Sequence, residues 1–172
     1  VHLFSGMYVS DALAILLKLF GFLFVAVGLL YSREYLEMRG ILRGEYYVLA
    51  LTALLGMFVM ISAGSLLTLY VGVELLALSL YAMVAFDRDS GIAAESAMKY
   101  FVLGAIASGA LLYGMSLVYG LTGTLLLDEI AVALQGKPSL GLIMGLVFLV
   151  VVPAMFALGL VMLAVFVGVV TV

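Results

Sequence analysis

A chain of 172 residues that is 67% apolar, 10% charged and free of cysteine carries more apolar surface than a soluble domain of its size can hide, since such domains are about 45–50% apolar and bury only about 70% of their unfolded surface. This composition excludes a soluble globular enzyme, a disordered chain, a disulfide-stapled domain and thiolate-held metal or iron–sulfur sites. The single histidine, His2, leaves no histidine-based metal cluster, and the net charge of −3 carries no basic excess for nucleic acid.

An integral membrane protein remains. Apolar runs long enough to cross about 30 Å of hydrocarbon, roughly 20 helical residues each, predict an all-α polytopic bundle with no sheet, organised as a single transmembrane domain over 1–172. The spans are expected at 11–31, 45–63, 66–86, 99–121 and 139–172. The first is followed by a linker, 32–44, carrying Arg33, Glu34, Glu37, Arg39 and Arg43. The second and third are joined by a tight turn at 62–65 and should form a helical hairpin. A polar turn at 87–91 offers Asp89 or Ser90 as cap for the next helix. Span four places small residues four apart (Gly104 and Ser108, Ala105 and Gly109, Ala110 and Gly114), a pattern for close helix packing. Residues 125–134 read as a short surface helix with Asp128 and Glu129 near its start, separated by Gly136 and Pro138 from the last region. That region has no charge, and as one straight helix it would measure about 51 Å; Pro153, which lacks a backbone donor, should interrupt it. A β-barrel is not expected, because stretches such as 140–152 do not alternate.

Arg33, Arg39, Arg43 and Arg88 fall on one side, with Lys99 at its edge, and only Lys137 on the other. That asymmetry predicts a cytoplasmic arginine-rich side and an outward N-terminus. Tyr31, Tyr35, Tyr46 and Tyr47 fit an interfacial aromatic belt. The chain does not begin with Met and ends within an apolar run, so a fragment is expected; 1–10 has no basic stretch, so a signal peptide is not.

Ionisable residues within spans cost roughly 2.5–3.5 kcal/mol near the bilayer centre, which makes each informative. Glu74 lies about 12 Å into span three, with Tyr70, Ala77 and Tyr81 on its helical face. It reads either as a carboxyl that glues helices together or as a proton site. Lys18 lies about 10 Å into span one, and either snorkels or pairs structurally or takes part in conduction. Lys99 opens span four with Glu95 four residues before it, as an interfacial anchor or a functional cation. Lys18 is expected at nearly the depth of Glu74, but a direct pair between them is not expected. No phosphate loop or dinucleotide fingerprint is present.

Longer stretches carry a resemblance. GEYYVLALTALLGMFVMISAGSLLTLYVGVELLALSLYAMVAFDRD and AAESAMKYFVLGAIASGALLYGMSLVYGLTGT strongly resemble the subunit N family of NADH-quinone oxidoreductase, antiporter-like membrane subunits of respiratory complex I. GMYVSDALAILLK resembles the region just before, and the likeness covers about residues 6–147. It implies part of a bundle built from two inverted five-helix repeats. It implies proton translocation through Glu74 and Lys99, other membrane-arm subunits and lipid as partners, and a bacterial inner-membrane location. It also places NADH, flavin, iron–sulfur clusters and quinone on partner subunits, with no cofactor on this chain. The family carries a lysine on the next helix that pairs with the glutamate matching Glu74, whereas VVVPAMFALGLVMLAVFVGVVTV has no lysine, histidine or tryptophan. The alternatives are a subunit of a multisubunit cation/proton antiporter, or a non-conducting structural piece of a membrane arm.

Overall fold

The computed structural model describes residues 1–135 and 139–150. The chain divides into two compact units, Val1–Phe101 and Val102–Val172. The first holds β1 (His2–Leu3), β2 (Tyr8–Val9), α1 (Ala12–Met38), α2 (Gly44–Ile61), α3 (Leu66–Val84) and the start of α4 (Gly91–Thr122). The second holds the rest of α4, α5 (Leu127–Leu134) and a further apolar helix, α6, described over Leu140–Val150. Among the described residues, α1 to α4 are long and apolar enough to cross a membrane. The expected interruption at Pro153 and the separating roles of Gly136 and Pro138 lie outside the described residues.

The starts of α1, α3, α4 and α6 are set by short polar side chains that satisfy otherwise orphaned backbone N–H groups. Asp11 accepts from Ala14 N at 2.7 Å, and Ser65 accepts from Thr68 N at 3.1 Å. Of the two candidates before α4, Ser90 takes the role, accepting from Ala93 N at 3.3 Å. Ser139 does the same for Leu142 N at 3.3 Å.

Three expectations are corrected. The expectation of no sheet fails in the first ten residues, which form a two-stranded antiparallel hairpin, His2 opposite Val9 and Leu3 opposite Tyr8. Helix α1 runs on through the predicted linker to Met38. There Arg33 pairs with Glu37 at 3.0 Å, four residues on, and the helix stops only at Gly40. Gly40 sits at φ 68° and closes the end with Gly40 N to Glu37 O and Ile41 N to Leu36 O bonds, a left-handed cap that suits glycine. Finally, α4 begins at Gly91, so Lys99 lies in its third turn and does not open it.

Helices α2 and α3 form the expected hairpin, and glycine sets how closely they pack. A Cβ on Gly56 would lie 2.6 Å from Leu76 N and 2.8 Å from Gly72 O. One on Gly72 would lie 2.8 Å from Met60 N and 2.9 Å from Gly56 O. Lipid tails are as apolar as the side chains, so such close approach and interhelical hydrogen bonds supply the association. The Thr52 and Ser79 hydroxyls add one such bond at 2.9 Å. In the second unit α4 meets α6 in the same way: a Cβ on Gly114 would be 3.0 Å from Gly145 O, and Tyr113 meets Phe148 edge-on at 5.4 Å. Of the predicted small-residue pattern Gly114 is used thus, while Gly109 has nothing within 4 Å of an added Cβ.

Gly72→Ala should therefore destabilise the α2–α3 pair by about 1–3 kcal/mol through overpacking. Gly28→Ala, where an added Cβ meets nothing within 4 Å, should be neutral or slightly stabilising. Detergent-titrated unfolding followed by circular dichroism distinguishes the two.

Candidate functional site

The packing of α3 on α2 fixes where Glu74 is directed. At 3.6 residues per turn, Gly72 and Ser79 share the face applied to α2, and Glu74 lies roughly 200° around the helix from Gly72. Tyr81, seven residues on, returns to the Glu74 face. Glu74 is half-buried, and the Tyr81 phenol is within its electrostatic reach. Tyr81 in turn meets Tyr100 of α4 edge-on, with ring centroids 4.7 Å apart and planes at 89°. It meets Phe101 at 5.7 Å. The acid-bearing face of α3 thus leads through an aromatic contact to the part of α4 that carries Lys99.

Lys99 is exposed and paired with Glu95 at 2.5 Å, one helical turn back, as the four-residue spacing predicts. An exposed pair of this kind is weakly held and leaves the ammonium accessible.

Lys18 is held elsewhere. Its Nζ donates to the Tyr8 hydroxyl at 2.6 Å and stands 4.8 Å from the centroid of the same ring, so one phenol supplies both a hydrogen bond and a cation–π contact. Tyr8 is fixed by the α2–α3 turn. It forms a bridge with Ala63, Val9 N donates to Ser62 O at 2.8 Å, and Gly64 N donates to Met7 O at 2.8 Å. The ammonium of Lys18 holds the Tyr8 phenol below its ordinary range, and the neighbouring Ser62 hydroxyl acts in the same direction. Ser62 Oγ is itself buried and outside hydrogen-bond geometry with any described partner.

Residue-by-residue reading singles out Glu74, Lys18 and Lys99 as candidates and passes over Tyr8, Ser62 and Tyr100, which the structure places beside them. Tyr8 and Ser62 reach Lys18 through a fold-back that no helical spacing encodes. Tyr100 carries a weak signal, as the neighbour of Lys99 on a span that must pack against something. Among the described residues no group of three His, Asp or Glu side chains is placed to hold a metal ion. What the arrangement offers is a set of proton-holding groups, a carboxyl, phenols and amines, positioned by helices.

The model of the NADH:quinone oxidoreductase/Mrp antiporter transmembrane family matches residues 63–169. The chain is 60% identical over 148 residues to NADH-quinone oxidoreductase subunit N of Thiobacillus denitrificans, covering 85% of this chain and 31% of the relative. It is 56% identical over 151 residues to the subunit N of Nitrosomonas europaea, covering 87% and 31%. The chain thus spans about a third of the length of these curated relatives. Among solved structures it resembles a chain of respiratory complex I from Thermus thermophilus, with a TM-score of 0.64 and 33% identity over 85% of this chain and 31% of that one. It also resembles a chain of an archaeal membrane-bound sulfane sulfur reductase, with a TM-score of 0.57 and 39% identity over 60% and 21%.

The Tyr8–Lys18 contact can be read by titration. Tyr8 should lose its proton at a lower pH than an ordinary tyrosine, near 10, because the adjacent ammonium stabilises the phenolate. Lys18→Met should move the Tyr8 transition upward, and carbon-13 NMR of ring-labelled tyrosine follows it.

Proposed function

The chain belongs to the NADH:quinone oxidoreductase/Mrp antiporter transmembrane family, and from that premise we propose that it serves as part of a subunit N in the membrane arm of a proton-translocating NADH-quinone oxidoreductase. It is a multi-pass membrane protein of antiporter-like helical fold. The observation that carries the functional reading is Glu74, a half-buried carboxyl inside the matched segment, on a helix that meets α4 through Tyr81 and Tyr100. A carboxyl in apolar surroundings holds a proton and gives it up when a cation approaches. In this reading Glu74 is the proton-loading group, Lys99 the cation whose approach or retreat biases it, and Lys18 a second cation on the hairpin-bearing end. NADH oxidation and quinone reduction belong to partner subunits, so NADH, flavin, iron–sulfur clusters and quinone bind there and not on this chain. The neighbours are other membrane-arm subunits and lipid, in a bacterial inner membrane, with the N-terminal hairpin outside by the arginine asymmetry.

The family description also covers Mrp antiporters, which supports a cation/proton antiporter subunit as the second reading. The identity of 56–60% to oxidoreductase subunits favours the first. The absence of lysine, histidine and tryptophan from 150–172 supports a third, a non-conducting structural piece.

One experiment separates them. In inverted membrane vesicles carrying the assembled complex, Glu74→Gln should lower NADH-driven proton pumping severalfold. Electron transfer to an artificial acceptor should stay unchanged. Unchanged pumping would remove Glu74 from the proton path, and electron transfer without pumping by the unsubstituted complex would favour the structural reading. Sodium-dependent proton exchange without NADH would favour the antiporter.

A further inference from the structure

The cation on α1 and the start of α3 are held by one clip. Lys18 belongs to α1, but its amine ends on a phenol that is not part of any spanning helix. That phenol sits in a hairpin whose backbone is bonded to the turn from which α3 begins. Val9 N to Ser62 O and Gly64 N to Met7 O, both 2.8 Å, fasten the hairpin on either side of the Tyr8–Ala63 bridge. The approach leaves no room for a side chain, since a Cβ on Gly64 would stand 2.0 Å from Gly6 O. Ser65, the N-cap of α3, follows at once. A lysine this far along an apolar helix has a long flexible stem and ordinarily reaches toward the headgroups wherever it finds water. Here a 2.6 Å hydrogen bond and the ring face give it one place, set by the base of the helix that carries Glu74.

We propose that Tyr8 is a positioning residue for proton translocation, its hydroxyl fixing the Lys18 amine relative to the base of α3. This rests on the reading of the chain as a proton-translocating subunit and adds to it a residue outside the spanning helices. The hydroxyl acts through Lys18 and touches no transported group beyond it. The buried Ser62 hydroxyl belongs to the same turn, whose carbonyl accepts from Val9 N at 2.8 Å, so the backbone on which Tyr8 sits is held by that turn.

The test uses a full subunit carrying this sequence, in its assembled complex, with Tyr8→Phe, Lys18→Met, the double variant and Glu74→Gln prepared in parallel. Tyr8→Phe keeps the ring and the hairpin packing and removes only the hydroxyl. Two readouts are taken: protons pumped per electron transferred, and the rate at which a water-soluble acetylating ester modifies Lys18, followed by mass spectrometry. Tyr8→Phe should raise the Lys18 acetylation rate severalfold, because the amine is released. It should lower the proton-to-electron ratio in the Lys18 background and have no further effect in the Lys18→Met background, because a group that acts only through Lys18 has nothing left to position. A purely structural role for Tyr8 would instead add its loss to that of Lys18→Met, which overturns the proposal. Unchanged acetylation overturns it too, as does an unchanged ratio in Tyr8→Phe. If Glu74→Gln lowers the ratio while Tyr8→Phe and Lys18→Met do not, the positioning role fails and the translocating function stands. If Glu74→Gln is also without effect, the function fails and the positioning role with it.

Discussion

A peptide group in hydrocarbon has no water to bond, and leaving it unpaired costs several kcal/mol. The architecture answers that constraint at several of the helix ends described. Side-chain oxygens of Asp11, Ser65, Ser90 and Ser139 close helix starts. Gly40 closes the end of α1 with a pair of backbone bonds. Hydroxyls inside the spans turn back on their own helices, Thr52 to Leu49 O, Ser79 to Leu75 O and Thr122 to Val118 O. The N-terminal hairpin leaves edge groups of its own, and it directs two of them to the α2–α3 turn, which has orphaned groups to match. What looks like ornament at the end of the bundle is two sets of unsatisfied backbone groups meeting each other's need.

Once the backbone is satisfied, little distinguishes one helix face from another in lipid, and contact is decided by shape. Gly56 and Gly72 let α2 and α3 approach until backbone meets backbone, and Thr52 with Ser79 adds a bond across the same seam. That seam sets the rotation of α3 about its own axis. With Gly72 and Ser79 committed to α2, the period of the helix turns Glu74 and Tyr81 to the other side, where Tyr81 meets Tyr100 and Phe101 of α4. The direction of the acid is therefore a consequence of glycines on the opposite face.

Much of this was legible because the spans announce themselves. Uninterrupted apolar runs gave the helices, Ser90 was named as a cap, the 62–65 turn gave the hairpin of α2 and α3, and 125–134 gave α5. The misses have physical causes. Strands of two residues are too short to show alternation, so no sheet is read from 1–10. The charges of 32–38 looked like a linker, although Arg33 and Glu37 at four-residue spacing are as much a mark of an exposed helix. Gly56 and Gly72 form no motif within either helix, because the pattern exists only across the pair. Gly109 shows the converse: its spacing from Ala105 matched the packing pattern, yet among the described residues nothing lies within 4 Å of a Cβ there. Glu74 stands out because a carboxyl in a span is conspicuous, while Tyr8, a tyrosine near a membrane edge, is of a type enriched in that place.

Lys18 shows how far local rules reach. Spacing along α1 gives its depth but leaves its amine free to choose among directions, and an ammonium in a span is costly enough, roughly 2.5–3.5 kcal/mol near the centre, that it will take the best partner in reach. The partner is supplied by residues that are neither apolar nor helical, and that are in place only because a glycine at 64 lets one backbone lie against another. The hairpin needs the turn for its hydrogen bonds, the turn gains pairing from the hairpin, and the lysine needs the phenol that both hold. None of the three is determined by its own sequence alone. A change at Gly64 would reach the amine of Lys18 without touching it, through displacement of Tyr8.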